Sequence, residues 1–218
     1  MIVDFRTYTL HPGRLGAYLK LYGVEGFPIQ IRHLQNCLGY YVVESGVQNR
    51  VVHFWGYDDI ADRARKRAGM EADPAWNAYR AKAAQFFQRQ ENQILQTVPF
   101  WPLAGDAKGP IGLVDLRLYT LHPGRLGEFF RLYPADGAEI QTRHLGRCTG
   151  FYYSDIGTQN MLVHLWAYED PADRARRRAG LQADPNWNAY FSKVSNLLMH
   201  MENVLLRPAP FWPPKAGG

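Results

Sequence analysis

The N-terminal residues alternate between two faces, the pattern expected of a β-strand whose sides meet different surroundings. Between residues 2 and 10, one face carries Val3, Phe5 and Thr7, and the other carries Asp4, Arg6 and Tyr8. A turn at His11-Pro12-Gly13 ends this strand, and leucines at helical spacing then predict an amphipathic helix from Leu15. Gly23 and Gly26 predict an interruption of that helix before a shorter one resumes at Pro28, a residue suited to a first helical turn.

Two apolar runs, at residues 39–43 and 51–57, predict a β-hairpin, since a short loop bearing glycine and asparagine joins them. Two helices are predicted to follow. Asp58 or Asp59 can cap the first, and Asp73-Pro74 begins the second, with aspartate as N-cap and proline as first helical residue.

A last apolar run at residues 94–98 predicts a closing strand. Its counterpart later in the chain contains Pro208, which lacks the N–H that a central strand needs, so we expect this strand at a sheet edge. The element order is then β-α-β-β-α-β, which is the ferredoxin-like pattern.

The whole pattern occurs twice. Residues 6–16 return almost letter for letter as residues 117–127, and the correspondence continues without a gap to Pro102. A repeat this long is one domain written twice rather than a solenoid unit. We therefore predict domain 1 over residues 1–102, a linker of small residues over 103–112, and domain 2 over 113–214.

The third strand predicts how each sheet is covered. One face carries Val52, Phe54 and Gly56, which suit packing under helices, and the other carries His53, Trp55 and Tyr57. Helices of this fold cover one sheet face, and a face rich in rings is not expected to remain in water. We expect the α+β class, with two tandem ferredoxin-like domains packed sheet-to-sheet through their ring-rich faces as a pseudo-two-fold barrel.

Composition narrows the class of protein. The net charge of +5 comes from interspersed acids and bases, which is too mild to indicate nucleic acid. Cys37 and Cys148 occupy matching positions, and one thiol per domain predicts a small buried residue rather than a disulfide or metal ligand. Because no apolar run reaches membrane-spanning length and the chain begins with a strand pattern, we expect a cytoplasmic protein without membrane contact.

Five motifs together carry a family resemblance. They are Arg6-x-Tyr8-Thr9-Leu10-x-Pro12-Gly13, Arg32-His33, Val52-His53-x-Trp55-x-Tyr57, Asp62-Arg63-x-x-x-Arg67 and Asp73-Pro74-x-Trp76. In this combination, and over nearly all of both halves, the chain resembles a tandem protein of the NIPSNAP family.

The resemblance implies the dimeric α+β barrel superfamily. Many bacterial NIPSNAP members are a single unit that must dimerise, so the fusion implies that the barrel forms within one chain. The wider superfamily includes cofactor-free monooxygenases, isomerases, cyclases, and haem-binding peroxidases and dismutases. The family itself implies no established biochemical activity, and fold alone does not choose among these chemistries.

Candidate catalytic groups lie on the ring-rich face. His53 and His164 are the candidate general acids or bases, because imidazole titrates near neutral pH. Tyr8 and Tyr119 are candidates for orienting a substrate oxygen. The alternative is that these groups satisfy one another inside the barrel, as buried polar side chains usually do.

Candidate substrate-binding residues surround them. They are Arg6, Arg117, Trp55, Trp166, His33 and His144. An arginine can hold a carboxylate or enolate. His33 and His144 lie on short helices beside which a pocket could open, but neither has a second ligand at the spacing of a closed metal site. We therefore expect no metal and no cofactor, with haem as an alternative.

Basic runs at residues 63–67 and 174–178 raise the question of nucleic acid binding. Acidic residues precede both runs on the same predicted helices, and acids early with bases late match the helix dipole. We interpret these runs as solvated or interdomain faces, and we expect no nucleic-acid partner.

Two functional hypotheses remain open at the level of sequence. In the first, the chain binds or transforms a small apolar metabolite without a tightly bound cofactor, through acid–base chemistry such as isomerisation, cyclisation or oxygenation. In the second, it is a non-catalytic structural or interaction module. The sequence leaves open whether it is an enzyme and whether the fused chain forms a homodimer.

Overall fold

The computed structural model describes residues 1–103 and 110–212, which contain one element order twice. The first copy has β1 (Ile2–Leu10), α1 (Leu15–Leu21), α2 (Phe27–Leu34), β2 (Cys37–Ser45), β3 (Arg50–Tyr57), α3 (Ile60–Glu71), α4 (Pro74–Ala83) and β4 (Phe87–Thr97). The second has β5 (Leu113–Leu121), α5 (Leu126–Leu132), α6 (Ala138–Leu145), β6 (Arg147–Ile156), β7 (Met161–Tyr168), α7 (Pro171–Ala183), α8 (Pro185–Val194) and β8 (Leu198–Pro208). The predicted β-α-β-β-α-β order is confirmed, with each predicted helical region built from two helices.

The strands form one barrel-like antiparallel sheet. Across the described residues their hydrogen-bonded order is β1-β3-β2-β8-β5-β7-β6-β4, and this order closes on itself. The predicted α+β fold, with two tandem units and an eight-stranded barrel, is thereby confirmed. In the first copy β3 pairs with both β1 and β2, and in the second β7 pairs with both β5 and β6.

Two compact units emerge from the packing, and they do not end where the sequence repeats end. Unit 1 contains Met1–Leu95 and the segment from Arg207, whereas unit 2 contains Gln96–Leu206. In unit 1, Phe211 packs its ring on Tyr22 and Tyr40, with centroids 5.2 and 5.0 Å away. The predicted boundaries at 102, 113 and 214 stay a prediction, and residues 104–109 of the predicted linker and 213–214 of domain 2 lie outside the described residues.

Aspartate caps begin the second helical region of each copy, as the sequence predicts. The Asp59 side chain accepts a hydrogen bond from the Asp62 N–H at 2.8 Å, and Asp73 accepts from the Ala75 N–H at 2.8 Å. Asp170 and Asp184 cap α7 and α8 in the same way. These caps satisfy backbone donors that the first helical turn leaves without partners.

Gly23 and Gly26 do not interrupt the first helical region, contrary to our prediction. Residues Tyr22–Gly26 form a π-helical segment that joins α1 to α2 without a break. A Cβ on Gly26 would lie 2.7 Å from the Tyr22 ring and 2.8 Å from the Tyr79 ring. The glycine therefore serves a close approach between helices rather than a chain break.

The last strand of each copy also differs from its prediction. β4 begins at Phe87, well before the predicted residues 94–98. β8 pairs with β5 along its length and lies between β5 and β2 in the strand order, so it is not at an edge. Pro208 is tolerated there because it is the final residue of the strand.

The assignment of the sheet faces is likewise wrong. His53 and Trp55 lie beneath the helices of their own unit, in contact with rings and side chains from the helical regions, instead of on a face turned away from them. Val3, Phe5, Val52 and Phe54, on the opposite face, are just as buried. Because both faces are buried and apolar groups occur on both, the alternation could not tell which face the helices cover.

Candidate functional site

A row of cross-strand neighbours forms the centre of the site in unit 1. On β3, His53 lies directly opposite Arg6 of β1 and directly opposite Tyr40 of β2. The His53 ring stacks on Tyr40 with centroids 4.6 Å apart, and the edge of Tyr8 meets it at 4.8 Å. Directly opposed side chains on one sheet face are within contact distance, which explains why the repeated motifs converge here.

A hydrogen bond from Trp55 determines which nitrogen of the His53 ring carries the proton. The indole Nε1–H, which can only donate, lies 2.8 Å from His53 Nδ1. Nδ1 must therefore accept, and in the neutral ring the proton resides on Nε2. Burial, together with the charges of Arg6 and Arg67, holds the pKa of His53 well below its usual range. The histidine is a neutral N–H donor whose Nε2 has no hydrogen-bond partner among the described residues.

In this arrangement His53 is suited to donate a hydrogen bond, and its role as general acid or base stays a prediction from the sequence. The lone pair on Nδ1 accepts the hydrogen bond from Trp55, and the lowered pKa of His53 makes the ring a poor proton acceptor at neutral pH. Unit 2 repeats the arrangement: Trp166 donates to His164 Nδ1 at 2.8 Å, and burial beside Arg117 lowers the pKa of His164. His164 Nε2 is likewise without a partner in the described part of the chain.

Arg6 is held between an acid and a phenol. Its Nε donates to Asp4 at 2.9 Å, and its Nη1 donates to the Tyr8 hydroxyl at 2.7 Å. Burial alone would lower the pKa of Arg6, but Tyr8 and Asp4 raise it above its usual value. Arg6 is therefore a fixed positive charge beside His53, and Tyr8 keeps its own hydroxyl hydrogen to donate.

A cavity of about 560 Å³ lies against this row in unit 1. Its rings come from the sheet, the helical regions and β4, and they are Tyr8, Tyr18, Tyr22, Trp76, Tyr79 and Phe87. Its polar lining includes Arg6, His53, Gln30, Arg67, Glu71 and Arg80. The cavity is within the range of volumes typical of small-molecule sites, and its lining of rings with a few polar groups matches such sites.

The tyrosines of the wall are neutral and mutually bonded. The hydroxyl groups of Tyr18 and Tyr40 lie 2.6 Å apart, and Tyr22 donates to the Gln30 side chain. Burial raises the pKa of Tyr18, Tyr22 and Tyr40 well above the usual range. These groups therefore supply a rigid, uncharged surface rather than acid–base chemistry.

Unit 2 keeps the arginine and the histidine of the sheet row, but Phe151 replaces Tyr40 opposite the histidine, and the unit has little space. Its corresponding cavity is about 40 Å³ and is lined by apolar groups that include Phe129, Phe151, Phe191, Val194 and Leu198. Phe191 takes the position of Arg80 in the repeat and stacks on Trp187 with centroids 6.3 Å apart. The two units have therefore diverged at the wall of the site and also in the sheet row, where Phe151 replaces Tyr40.

The remaining predicted site residues lie away from the cavity lining. Trp55 and Trp166 are fully buried and act through the histidines to which they donate. His33 Nε2 lies 2.8 Å from Asp73, and His144 Nε2 lies 2.9 Å from Asp184. His33 therefore connects α2 to the N-cap residue of α4, and His144 connects α6 to the N-cap residue of α8.

Arg117 and Tyr119 repeat the Arg6–Tyr8 contact in unit 2, where Arg117 also donates to Asp115. Tyr119 and His164 line the small cavity. Cys37 and Cys148 are free thiols, as predicted, and burial raises the pKa of each to about 12. Neither thiol is a nucleophile at neutral pH.

The basic runs of α3 and α7 are engaged in ion pairs within their own units. Arg63 lies 3.1 Å from Asp4, a fully buried carboxylate that also pairs with Arg6, and Lys66 lies 2.9 Å from Asp62. Arg174 pairs with Asp115 at 2.9 Å in the same way. Arg63 and Arg174 therefore reach the sheet, whereas Arg65 and Arg176 are exposed to solvent.

Comparison with known proteins agrees with the repeated motifs. The profile of the NIPSNAP family matches residues 3–102 and again residues 114–213. The chain belongs to the NIPSNAP family. The NipSnap homolog of Dictyostelium discoideum is 26% identical over 95% of this chain and 87% of its own length. NipSnap homolog 3B of Mus musculus is 29% identical over 97% of this chain and 85% of its own length.

The NIPSNAP chain also shares its fold with a more distant solved structure. A provisionally assigned monooxygenase from Fusobacterium nucleatum superposes with a TM-score of 0.65 and 10% identity, over 95% of this chain and 92% of that one. At this identity the likeness extends to the fold alone. In the described residues, no helix combines the length and apolar character needed to cross a membrane.

Several lining residues were missed by the sequence analysis. The sequence analysis did not single out Tyr18, Tyr22, Tyr79, Gln30 or Arg80 as site residues, although all five line the cavity. One signal was available for Arg80: it is replaced by phenylalanine in the second copy, although its neighbours Tyr79 and Trp76 are retained. A difference inside a well-kept motif is where two copies of a site diverge.

Proposed function

We propose that this NIPSNAP protein binds a small, largely apolar molecule in the cavity of unit 1, without a tightly held cofactor. The observation that carries the proposal is a cavity of about 560 Å³ with ring-lined walls and a buried, unpartnered donor at His53. Buried polar groups without partners are rare in folded proteins and point to a ligand or another functional reason.

The chemistry of this site is that of hydrogen-bond donation. Arg6, Tyr8 and His53 all present donors, and none of them is placed to accept a proton at neutral pH. Such a cluster stabilises negative charge on a ligand oxygen, which is the contribution of an oxyanion site in isomerisation or oxygenation. Within the described lining, the Glu71 carboxylate, 3.8 Å from Arg67, is the protein group that could serve as a base.

Unit 2 supports the second hypothesis for its own half. With a cavity of about 40 Å³ filled by phenylalanine and leucine side chains, it has room for about one water molecule rather than a metabolite. We propose that unit 2 is the structural half and that the fused chain binds one ligand. Dimerisation of the chain remains a prediction that light scattering during gel filtration would check.

Haem is disfavoured at His53 by the same hydrogen bond. A histidine that binds iron through Nε2 must carry its proton on Nδ1, and Nδ1–H would then face the Trp55 N–H, donor against donor. We therefore expect freshly purified protein to lack a Soret band. An intense band that survives gel filtration would contradict this proposal.

The chain supplies its own variant for testing the site. Arg80→Phe places the unit 2 residue in the unit 1 wall, and the double variant Arg80→Phe/Ala83→Val also introduces the valine that unit 2 has at position 194. A set of small aromatic and apolar molecules would be screened by ligand-observed NMR. We expect saturation-transfer signals from several of them with the native chain, and their loss with the double variant.

A matched control adds the same ring outside the cavity. Lys82 lies on α4, pairs with Glu25 at 2.8 Å and is not part of the lining, so Lys82→Phe should bind as the native chain does. Circular dichroism would establish that each variant is folded. If the native chain bound no member of the set, or if the double variant bound as well as the native chain, the proposed function would be wrong.

A further inference from the structure

We infer that the ligand presents an anionic oxygen on a planar group, a carboxylate, enolate or phenolate, to Arg6, Tyr8 and the Nε2–H of His53. In this arrangement Trp55 is a positioning residue that keeps the histidine a donor. The inference rests on the proposed function and adds the chemical class of the ligand to it. It follows from the donors, the charges and the geometry of unit 1.

Among the sheet residues Arg6, Tyr8 and His53, the hydrogen-bonding groups left for a ligand are donors. Trp55 occupies the only lone pair of His53, so the ring can offer only N–H to a ligand. The Tyr8 oxygen already accepts from Arg6, which leaves its hydrogen to donate. The lining also contains the side-chain amides of Gln30, whose oxygen accepts from Tyr22, and of Asn77 and Gln90, all of them outside the set of donors formed by Arg6, Tyr8 and His53. A ligand group that accepts and does not donate matches this set.

Most of the charged side chains that line the cavity are positive, which suits an anionic ligand. Arg6, Arg67 and Arg80 line the cavity, whereas Glu71 is its one carboxylate. Glu71 lies 3.8 Å from Arg67, and the buried Asp4 is shared between Arg6 and Arg63. Arg80 has no ion-pair partner within the described residues. A cleft with such an excess of one sign concentrates ligands of the opposite sign.

The ring walls determine the rest of the ligand. Tyr18, Tyr22, Trp76 and Tyr79 provide flat apolar surfaces, and the hydroxyl groups of Tyr18 and Tyr40 are satisfied by each other. A planar body packs well against such rings. Hydrogen bonds in which one partner is ionised are roughly twice as strong as neutral ones, so the oxygen rather than the body determines specificity.

A pair of probes with one shape separates charge from apolar contact. The carboxylate 2-naphthoate and the amide 2-naphthamide would be titrated into the full chain, each followed by calorimetry. We expect the carboxylate to bind about 10-fold to about 100-fold more tightly, as one or two charge-assisted hydrogen bonds allow. A third probe, 4-nitrophenol, reports phenolate directly by its yellow absorbance, which should increase on binding at a pH where the free phenol is partly ionised.

Variants identify the donors. Tyr8→Phe removes one donor at a half-buried position and should reduce the preference for the carboxylate by about 10-fold, while Tyr119→Phe in unit 2 should leave it unchanged. Trp55→Phe frees Nδ1 of His53. In native protein with ¹⁵N-labelled histidine, we expect two buried rings protonated on Nε2, and a shift of one Nε2–H resonance when 2-naphthoate binds.

The outcomes distinguish the inferred class of ligand from the proposed function of the cavity. Tighter binding of the carboxylate, reduced in Tyr8→Phe, supports the inference. Equal affinity for both naphthalene probes would leave the cavity as an apolar site and overturn the anionic ligand. Binding of neither naphthalene probe, together with failure of the wider screen, would overturn the proposed function and the inference with it.

Discussion

One hydrogen bond, from the Trp55 indole to His53, determines what the histidine can do. It assigns the ring proton to Nε2 and leaves a buried donor without a protein partner. The motif that carries these residues, histidine followed two positions later by tryptophan, places both on one face of a strand. That spacing could be read from the sequence, but it does not state which ring nitrogen the indole meets.

A pH dependence of stability follows from the neutral histidines. In the unfolded chain a histidine takes up a proton below about pH 6.5, whereas the lowered pKa of His53 and His164 keeps both neutral in the folded protein. The stabilisation is therefore complete above about pH 6.5 and is lost as the pH falls. Urea denaturation should show the free energy of unfolding decreasing from pH 7.5 to 5.5, by up to about 1.4 kcal/mol per pH unit for each histidine.

The carboxylates of Asp73 and Asp184 titrate in a different pH window. His33 and His144 lower the pKa of Asp73 and Asp184 to about 2, so loss of those contacts belongs below about pH 4. Constant or rising stability between pH 6.5 and 5.5 would contradict buried neutral histidines.

At the scale of elements, glycines let the helical regions pack against each other. Gly26→Ala would bring a Cβ to 2.7 and 2.8 Å from the rings of Tyr22 and Tyr79, both of them buried. We expect a loss of about 1–3 kcal/mol in the free energy of unfolding, since the core has no room to yield. The change would be measured by thermal or urea denaturation.

A second glycine provides the control. Gly16 lies on α1, and a Cβ there would meet nothing within 4 Å. Gly16→Ala should therefore be neutral or stabilising by about 0.5–1 kcal/mol, because alanine favours the helix. Equal destabilisation by both substitutions would show that the close ring contact at Gly26 is not what matters.

The buried carboxylate of Asp4 ties α3 to the sheet. Asp4 is fully buried, with Arg6 at 2.9 Å and Arg63 at 3.1 Å. Asp4→Asn would leave these guanidinium groups without their counter-charge, and we expect a cost of about 3–5 kcal/mol. Glu25→Gln, which removes an exposed pair with Lys82, should cost less than about 1 kcal/mol. Similar effects of the two substitutions in urea denaturation would refute the structural role of Asp4.

At the scale of the whole molecule, most of the fold that could be predicted follows from the sequence repeat. Gap-free alignment of the two copies predicts two units, and the change from period two to helical spacing predicts their element order. Local chemistry also predicts the caps at Asp59 and Asp73, because an N-cap depends on few neighbours.

The features that the sequence did not predict depend on contacts between residues far apart in the sequence. Val52 and Trp55 are equally buried, so the alternation of β3 contains no information on which face meets the helices. The π-helical segment was mistaken for a break because Gly26 is a breaker by propensity but a packing residue in this fold. The two cavities differ, among other positions, where α4 presents Arg80 and α8 presents Phe191, a contrast visible only when the copies are compared as sites.

Arg80 and Phe191 occupy equivalent positions in the two units. Because they differ, the number of ligands bound per chain depends on both units together. A chain with two equivalent sites would bind two ligands, whereas one filled unit and one with a cavity of about 560 Å³ would bind one. Retention of the same Trp–His hydrogen bond in both units means that this hydrogen bond alone does not determine the number of ligands bound.

Equilibrium titration with 2-naphthoate, read as the number of molecules bound per chain, tests the central claim most directly. The account predicts one site in the native chain, none in Arg80→Phe/Ala83→Val, and one in Lys82→Phe. Two sites in the native chain, or one site that survives in the double variant, would contradict the assignment of binding to unit 1.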